Sequence, residues 1–260
     1  EDEAKKNNDN LKTRVVQMAL DFSLRHNLPS VLTPDACFPS ACVFNLACSV
    51  WSVELREPMI TLIVRAKKNC VAYSEAKREG RRPRGRPPKY GEKFRLRDFF
   101  EQPHLFTRQM CDVYGEAEEI SVMAVNLLWK PTGNMIRFVL AVTSRGPIIL
   151  MCGDLNQDPS LAITLYCMRT RIEIMFDMLK NVMCAFCYHF WSEMMPRHSR
   201  KPGKNKDPIK PPADAFGQIR NCWDAYEKFV MLAATALGIL NMIALKHTDS
   251  VWNHFDSYLR

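Results

Sequence analysis

The chain has 260 residues, of which 47 % are apolar, and it carries a formal net charge of +8. This composition excludes an intrinsically disordered protein, because nearly half of the residues can contribute to a core. The positive charge favours a polyanionic partner. The ten cysteines show no paired framework, which indicates reduced thiols in the cytosol and argues against a secreted protein. No secretory signal is evident, and the polar start EDEAKKNNDN leads us to expect a truncated chain.

The first 65 residues alternate between helical and strand patterns. The predicted elements are a helix at 11–26, a strand at 30–35, a helix at about 39–51 and a strand within 57–69. The last of these contains a continuous run of β-branched residues that ends at Arg65, which is typical of a buried parallel strand. The order helix, strand, helix, strand predicts an α/β fold, and we assign 1–65 as the first part of its core.

Residues 66–158 have a different pattern and are predicted to form a β-rich insertion. A basic stretch at 77–97 comes first. Three strand-like segments follow, EISVMAVNLLW, MIRFVLAVTS and PIILMCGDL, with Asn- and Gly-containing turns between them. Short turns of this type join antiparallel strands, so we expect antiparallel pairing.

Residues 159–260 are predicted to complete the core with helices. We expect one long helix at about 160–190, capped by Asp158 or Ser160, then a Pro- and Lys-rich loop and a last helix at about 214–247. That helix contains 17 uncharged residues, 229–245, whereas a membrane span needs about 20. A buried core helix is therefore the favoured interpretation, with a membrane-attached protein as the alternative.

The basic stretch 77–97 holds ten basic and two acidic residues, a net charge equal to that of the whole chain. Its centre, Arg84-Gly85-Arg86-Pro87, looks like the core of an AT-hook, in which two arginines follow the A·T minor groove. The alternatives are phosphate contact without sequence selectivity, which we favour, and a solvated loop. Arg84 and Arg86 are thus candidate DNA-binding residues.

A polar stripe lies within the predicted helix at 160–190. At about 100° per residue, Tyr166, Arg169, Glu173 and Lys180 fall within roughly 60° of arc, beside an apolar flank. The simple explanation is an ion pair between Glu173 and Arg169. The alternative is a partly buried carboxylate that stays ionised beside cations, as a metal ligand must.

Asp35 follows a predicted strand directly. Ligands in open α/β sheets gather at the carboxyl ends of strands, and carboxylates there can hold Mg²⁺ or Mn²⁺. A lone acid at this place more often caps a turn. For Cys184-Ala-Phe-Cys187, which has the spacing of half a zinc site, buried structural thiols within the helix are favoured.

The spacing Tyr166-x2-Arg169-x3-Glu173-x6-Lys180 resembles the Tyr-Arg-Glu-Lys signature of DDE transposases from the insertion-sequence-four group of bacterial elements. Two further stretches are similar to the same family. "LTPDACFPSACVFNLA" resembles the turn around the second catalytic Asp, with an aromatic residue at Phe38. "LIVRAKKNCVAY", followed by "RGRPPKYGEKFRLRDFF", resembles the entry to the β-rich insertion. The resemblance runs from about residue 12 to 245.

The resemblance implies an RNase H-like fold interrupted by a β-rich insertion, with C-terminal helices. It implies three acids and two divalent ions, Mg²⁺ or Mn²⁺, that cut DNA at element ends and join the freed end to target DNA. By position, Asp35 is the second acid and Glu173 the third, and both bind metal. Tyr166, Arg169 and Lys180 then contact DNA phosphates. Such an enzyme is cytoplasmic and bacterial, and a homodimer on DNA is compatible with it.

One part of the family pattern is missing. The first catalytic Asp of the family lies on the first core strand, and no Asp at the end of a strand precedes Asp35. We therefore expect a C-terminal fragment without the first core strands, which alone holds metal poorly and lacks strand-transfer activity. A DNA-binding protein that has lost catalysis and a nuclease without transposition stay open as alternatives.

Overall fold

The computed structural model describes residues 10–52, 54, 57–76, 88–187 and 215–258, with side chains to 254. The chain divides into two compact units, Glu1–Thr170 and Arg171–Arg260. The α-helices described in the first unit are α1 Leu11–His26, which precedes the first strand, α2 Ala41–Ala47, which follows that strand, and α3 Pro159–Cys167, which follows the last strand. Its strands are β1 Ser30–Leu32, β2 Trp51–Ser52, β3 Glu57–Pro58, β4 Ile60–Arg65, β5 Val71–Glu75, β6 Tyr90–Arg95, β7 Thr107–Val113, β8 Glu116–Trp129, β9 Asn134–Thr143 and β10 Gly146–Cys152.

Eight of these strands form one mixed sheet in the order β1-β4-β10-β9-β8-β5-β6, with β7 also paired to β8. β1 and β4 are parallel, and the neighbours from β4 to β6 are antiparallel. The long strand β8 pairs with β7 along its first half and meets β5 only near its end, at Leu128. The α/β fold class is therefore confirmed. The parallel pairing of β4 was also predicted, whereas its antiparallel neighbour β10 was not.

The central strands are buried on both faces. In β9, Phe138 and Leu140 belong to one core cluster with α1 and α2, while Val139 and Ala141 belong to a second cluster with α3. Because side chains in a strand point alternately to the two faces, this assignment requires a helical layer on each side. The sheet is thus the middle of three layers, and its strands read as nearly continuous apolar runs.

Helix α1 begins and ends where the sequence predicts. Asn10 caps its start by accepting hydrogen bonds from the backbone N–H groups of Lys12 and Thr13, and Thr13 completes a reciprocal capping box. Asn27 ends it in the left-handed conformation, with φ of 49°. Asn tolerates this conformation better than most residues, which explains the stop before Pro29.

The three strand-like segments of 66–158 are confirmed as β8, β9 and β10, and their antiparallel pairing is also confirmed. Three strands of this region, β5, β6 and β7, were not predicted. β6 lies at the end of the basic stretch and pairs with β5, and β7 pairs with β8. β10 also pairs with β4 through Leu150 and Arg65, so these strands share one sheet with the first part of the core.

The prediction of one continuous helix over 160–190 is wrong. Helix α3 ends at Cys167, a turn follows, and α4 Thr170–Asp177 continues into a π-helical turn, Met178–Val182. At the break the Arg169 N–H donates to the Tyr166 carbonyl at 3.1 Å, and the Thr170 hydroxyl donates to the Cys167 carbonyl at 3.1 Å. Such back-bonding by a threonine hydroxyl slightly destabilises a helix and often bends it, which is compatible with the interruption.

The second unit is dominated by α5 Phe216–Lys246, followed by α6 Thr248–Tyr258. Helix α5 matches the helix predicted at 214–247. Among the described residues, however, only Ala233 and Leu237 of this helix are buried, so the prediction of a buried core helix is not met there. By length and composition α5 could cross a membrane, with a mean hydropathy of 1.9. Core helices of soluble proteins pass the same test, so this property alone does not assign a membrane.

Candidate functional site

Asp35 lies in an exposed turn directly after β1. The Phe38 N–H donates to the Asp35 carbonyl at 3.0 Å and closes the turn, while the Phe38 side chain packs against the core. One carboxylate oxygen of Asp35 accepts a hydrogen bond from the Ala36 N–H at 2.7 Å. The aromatic residue thus anchors the turn, and the acid stands at its surface.

Arg65 ends β4, the parallel neighbour of β1. Parallel neighbours have their carboxyl ends on the same side of a sheet, so Asp35 and Arg65 lie together on that side. This side, where β1 and β4 end, is called the sheet edge below. Arg65 is exposed and, within the described ranges, forms no salt bridge. The edge therefore presents one acid and one cation, between which no salt bridge forms.

Tyr166, near the end of α3, connects this edge to the polar stripe. The residue is 6 % exposed, and burial raises the pKa of its hydroxyl. Arg169 and Arg65 act in the opposite direction, whereas Asp35 and Tyr114 add to the rise in pKa. Both arginines and Asp35 therefore lie within electrostatic range of the Tyr166 hydroxyl. A tyrosine hydroxyl with the ordinary pKa of 10.0 is already protonated at neutral pH, and a raised pKa keeps it so, which means that Tyr166 can donate a hydrogen bond.

Two hairpin turns reach the same edge. Tyr114 lies in the β7–β8 turn and Arg145 in the β9–β10 turn, and the Arg145 guanidinium carbon is 3.7 Å from the centre of the Tyr114 ring. Tyr166 and Arg169 form a second pair of this kind, at 5.9 Å. Neither Tyr114 nor Arg145 was singled out from the sequence. The only available signal was an exposed cation beside the glycine of a predicted turn.

Glu173 and Lys180 belong to the second unit, whereas Tyr166 and Arg169 belong to the first. Glu173 lies in α4 and Lys180 in the π-helical turn, so the stripe is not a single face of one straight helix. Glu173 is exposed among the described residues, and the expectation of a partly buried carboxylate is wrong there. The interruption at 168–169 invalidates the 60° arc, which assumed an ideal helix throughout.

Cys184 and Cys187 are exposed and follow the π-helical turn, so the expectation of buried thiols inside a helix is wrong. Cys184 adopts a positive φ of 50°. A hydrogen bond in which the Cys187 thiol donates to the Cys184 side chain is the main cause of a raised pKa at Cys187. His189, which follows the pair, lies outside the described residues, as do Arg84 and Arg86.

Within the described ranges, no three His, Cys, Asp or Glu side chains form a group that could hold a metal ion. Asp35 and Glu173 each present an exposed carboxylate, which is the donor type that Mg²⁺ and Mn²⁺ prefer. The donor type therefore fits, and further oxygen ligands would be needed for a complete coordination shell.

No protein-family model matches the chain, and no curated protein shows significant similarity to it.

Proposed function

We propose that this chain is, or derives from, a DNA transposase that uses divalent metal ions to cut and join DNA strands. The observation that carries the proposal is the clustering of Asp35, Tyr166 and Arg169 at one sheet edge. Asp35 precedes Tyr166 by 131 positions in the sequence, yet Asp35 and Arg169 both act electrostatically on the Tyr166 hydroxyl. The sequence resemblance assigns all three to the reacting region of such an enzyme.

The sheet edge carries side chains that can bind the phosphate groups of a DNA backbone. A guanidinium group binds phosphate oxygens through two parallel N–H donors, and a protonated tyrosine hydroxyl adds another donor. Arg65 and Arg169 provide the guanidinium groups and Tyr166 the hydroxyl. Lys180 adds a further phosphate contact in the proposal, and so do Arg84 and Arg86 of the basic stretch. The overall charge of +8 supports a polyanionic partner.

The proposed cofactor is a pair of Mg²⁺ or Mn²⁺ ions, with Asp35 and Glu173 as two of their ligands. When bound, such ions activate the attacking oxygen and stabilise the leaving oxygen in phosphodiester chemistry. Because the two acids belong to different units, their joint role rests on the sequence motif. The RNase H-like architecture belongs to the same proposal. So do a cytoplasmic location, the element ends and target DNA as partners, and a homodimer on DNA.

A second candidate is a DNA-binding protein that descends from a transposase and has lost catalysis. It is favoured by the lack, in the part of the chain that the structure describes, of a group of three potential metal ligands. The two candidates share the same DNA-contacting residues. They differ in whether Asp35 and Glu173 still bind a divalent ion.

Mn²⁺ binding in the presence of a short DNA duplex separates the two candidates. Electron paramagnetic resonance of free Mn²⁺ is the measurement, with the chain and its Asp35→Asn and Glu173→Gln variants. We expect weak Mn²⁺ binding that falls about tenfold in each variant, because each removes a ligand. Asp21→Asn is the control, since Asp21 is exposed on α1 and bonded to Gln17 at 2.7 Å.

If all four proteins bind Mn²⁺ equally, the metal assignment is wrong and the second candidate stands. If the unmodified chain does not bind DNA, both candidates fail.

A further inference from the structure

The Tyr114–Arg145 pair lies at the sheet edge but has no part in the polar stripe. The guanidinium group of Arg145 stacks on the Tyr114 ring at 3.7 Å, a distance at which cation–π attraction is favourable. Arg145 is exposed, and among the described residues it forms no salt bridge. Stacking covers one face of the guanidinium plane, and the ring does not block the N–H groups, because they lie in that plane. That is the arrangement for bidentate phosphate binding.

Both turns that carry the pair are tightly braced. Tyr114 and Gly115 have φ values of 58° and 92°, the left-handed conformations that a two-residue hairpin turn requires. The Asp112 carboxylate accepts a hydrogen bond from the Gly115 N–H at 2.7 Å. A non-glycine residue held at positive φ is uncommon, and such residues concentrate at functional sites.

The second turn is braced in the same way. The Glu118 carboxylate accepts a hydrogen bond from the Ser144 N–H at 3.1 Å, and the Thr143 hydroxyl accepts one from the Arg145 N–H at 3.2 Å. The two nearby acids, Asp112 and Glu118, are thus engaged by backbone N–H groups. These two acids carry more charge than Arg145 alone, but among the described residues neither forms a salt bridge with Arg145.

The register of the strands fixes the position of Arg145 relative to the polar stripe. Leu150 of β10 pairs with Arg65, and the strand continues to Gly146 beyond that level. Four residues of strand correspond to about 13 Å, which is the axial rise of about four phosphates on one DNA strand. Tyr114 stays close to the stripe, since its backbone N–H bonds the Cys167 thiol at the end of α3.

We propose that the stacked Tyr114–Arg145 pair is a second phosphate-binding subsite, which contacts the DNA backbone a few nucleotides from the phosphate bound by Tyr166 and Arg169. This inference rests on the proposed function, because it takes DNA as the partner. The subsite fixes the direction of the DNA strand across the sheet edge, since two separated contacts define a line. Arg145 binds the phosphate, and Tyr114 orients the guanidinium group.

The test is DNA binding as a function of salt, with a short fluorescein-labelled duplex and fluorescence anisotropy between about 50 and 200 mM KCl. Arg145→Gln should weaken binding about tenfold and lower the salt slope by about 0.9, the value for one lost phosphate contact. Tyr114→Asn tolerates the left-handed turn and keeps the charge. It should weaken binding about threefold with an unchanged slope, because only the stacking is lost.

Arg108→Gln is the matched control. Arg108 lies on the same β7–β8 hairpin and pairs with Glu119 at 3.2 Å, so its loss should leave both affinity and slope unchanged. Arg169→Gln serves as the positive reference for the stripe.

Three outcomes would overturn the inference. If Arg145→Gln behaves like Arg108→Gln while Arg169→Gln lowers the slope, the second subsite is wrong and the proposed function stands. If neither Arg145→Gln nor Arg169→Gln changes the slope, the sheet edge does not bind DNA and both proposals fail. Absence of binding by the unmodified chain also removes both.

Discussion

The two units differ sharply in how they use apolar residues. In the first unit, a sheet lies between helices on both faces, and the central strands are almost fully buried. In the second unit, the described core consists of Leu179, Ala185, Ala233 and Leu237, although α5 is one of the most apolar segments of the chain. Apolar composition therefore does not by itself produce a core. A second layer must be present to cover the apolar face.

The largest expected effect comes from the same substitution made in each unit. Leu140 in β9 is 0 % exposed, whereas Leu240 in α5 is 52 % exposed. Leu140→Ala removes buried methyl groups and leaves a cavity, so it should lower the free energy of unfolding by about 2–5 kcal/mol. Leu240→Ala should change it by about 0.5 kcal/mol or less. Urea unfolding followed by circular dichroism measures both variants.

Equal losses of unfolding free energy in the two leucine variants would contradict the contrast between the two units. Such a result would mean that Leu240 is covered in solution, and the contrast between the units would disappear.

A smaller change in the free energy of unfolding is expected when the pH is raised, and it comes from two thiols of the first unit. Burial raises the pKa of Cys152 to about 12 and that of Cys70 to about 11. Both groups bind a proton more tightly in the folded state than in the unfolded state. Their stabilisation is therefore complete below the ordinary thiol pKa of 9.0 and is lost as the pH rises towards these values.

Each of these thiols should lower the free energy of unfolding by about 1.4 kcal/mol per pH unit above the ordinary thiol pKa. Cys152→Ala should remove one such contribution and flatten the pH dependence between pH 9.0 and about 12. Cys37→Ala, at an exposed position, should leave the slope as it is. The same slope in all three proteins would show that Cys152 reaches solvent in the folded state.

The smallest effect concerns the start of α3, the helix that brings Tyr166 to the sheet edge. The Asp158 carboxylate accepts a hydrogen bond from the Leu161 N–H at 2.8 Å and caps the helix. Asp158→Ala should cost about 1 kcal/mol of stability, whereas Asp158→Asn keeps a capping oxygen and should cost little. Thermal unfolding distinguishes them, and identical midpoints would show that the cap is dispensable.

The parts of the fold that the sequence predicts are those governed by local pattern. α1 has a capping residue at its start and a left-handed Asn at its end, so its bounds follow from short-range chemistry. β8, β9 and β10 have long apolar runs separated by turn residues. β7 was not predicted because polar, charged and apolar residues are mixed along it. Its pairing with β8 stabilises it as a strand.

In the candidate site, too, features set by local pattern were predictable and features set by strand pairing were not. Asp35 and Arg65 could be placed by reasoning from strand ends, because parallel neighbours end together. Only part of the polar stripe was predictable, since its residues have helical spacing in the sequence, whereas the interruption at 168–169 leaves no signal in that spacing. Arg145 could not be placed near Tyr114 from the sequence, because that proximity depends on the register of three strand pairs.

The pairing of Arg65 with Leu150 has a consequence for synthesis on the ribosome. β4 leaves the ribosome early, but its antiparallel neighbour β10 is made only after the intervening hairpins have been translated. Until then, one edge of a strongly apolar strand has no hydrogen-bonding partner. A nascent chain with such an edge invites pairing with another copy. Slow translation between these two strands should therefore lower the yield of soluble protein.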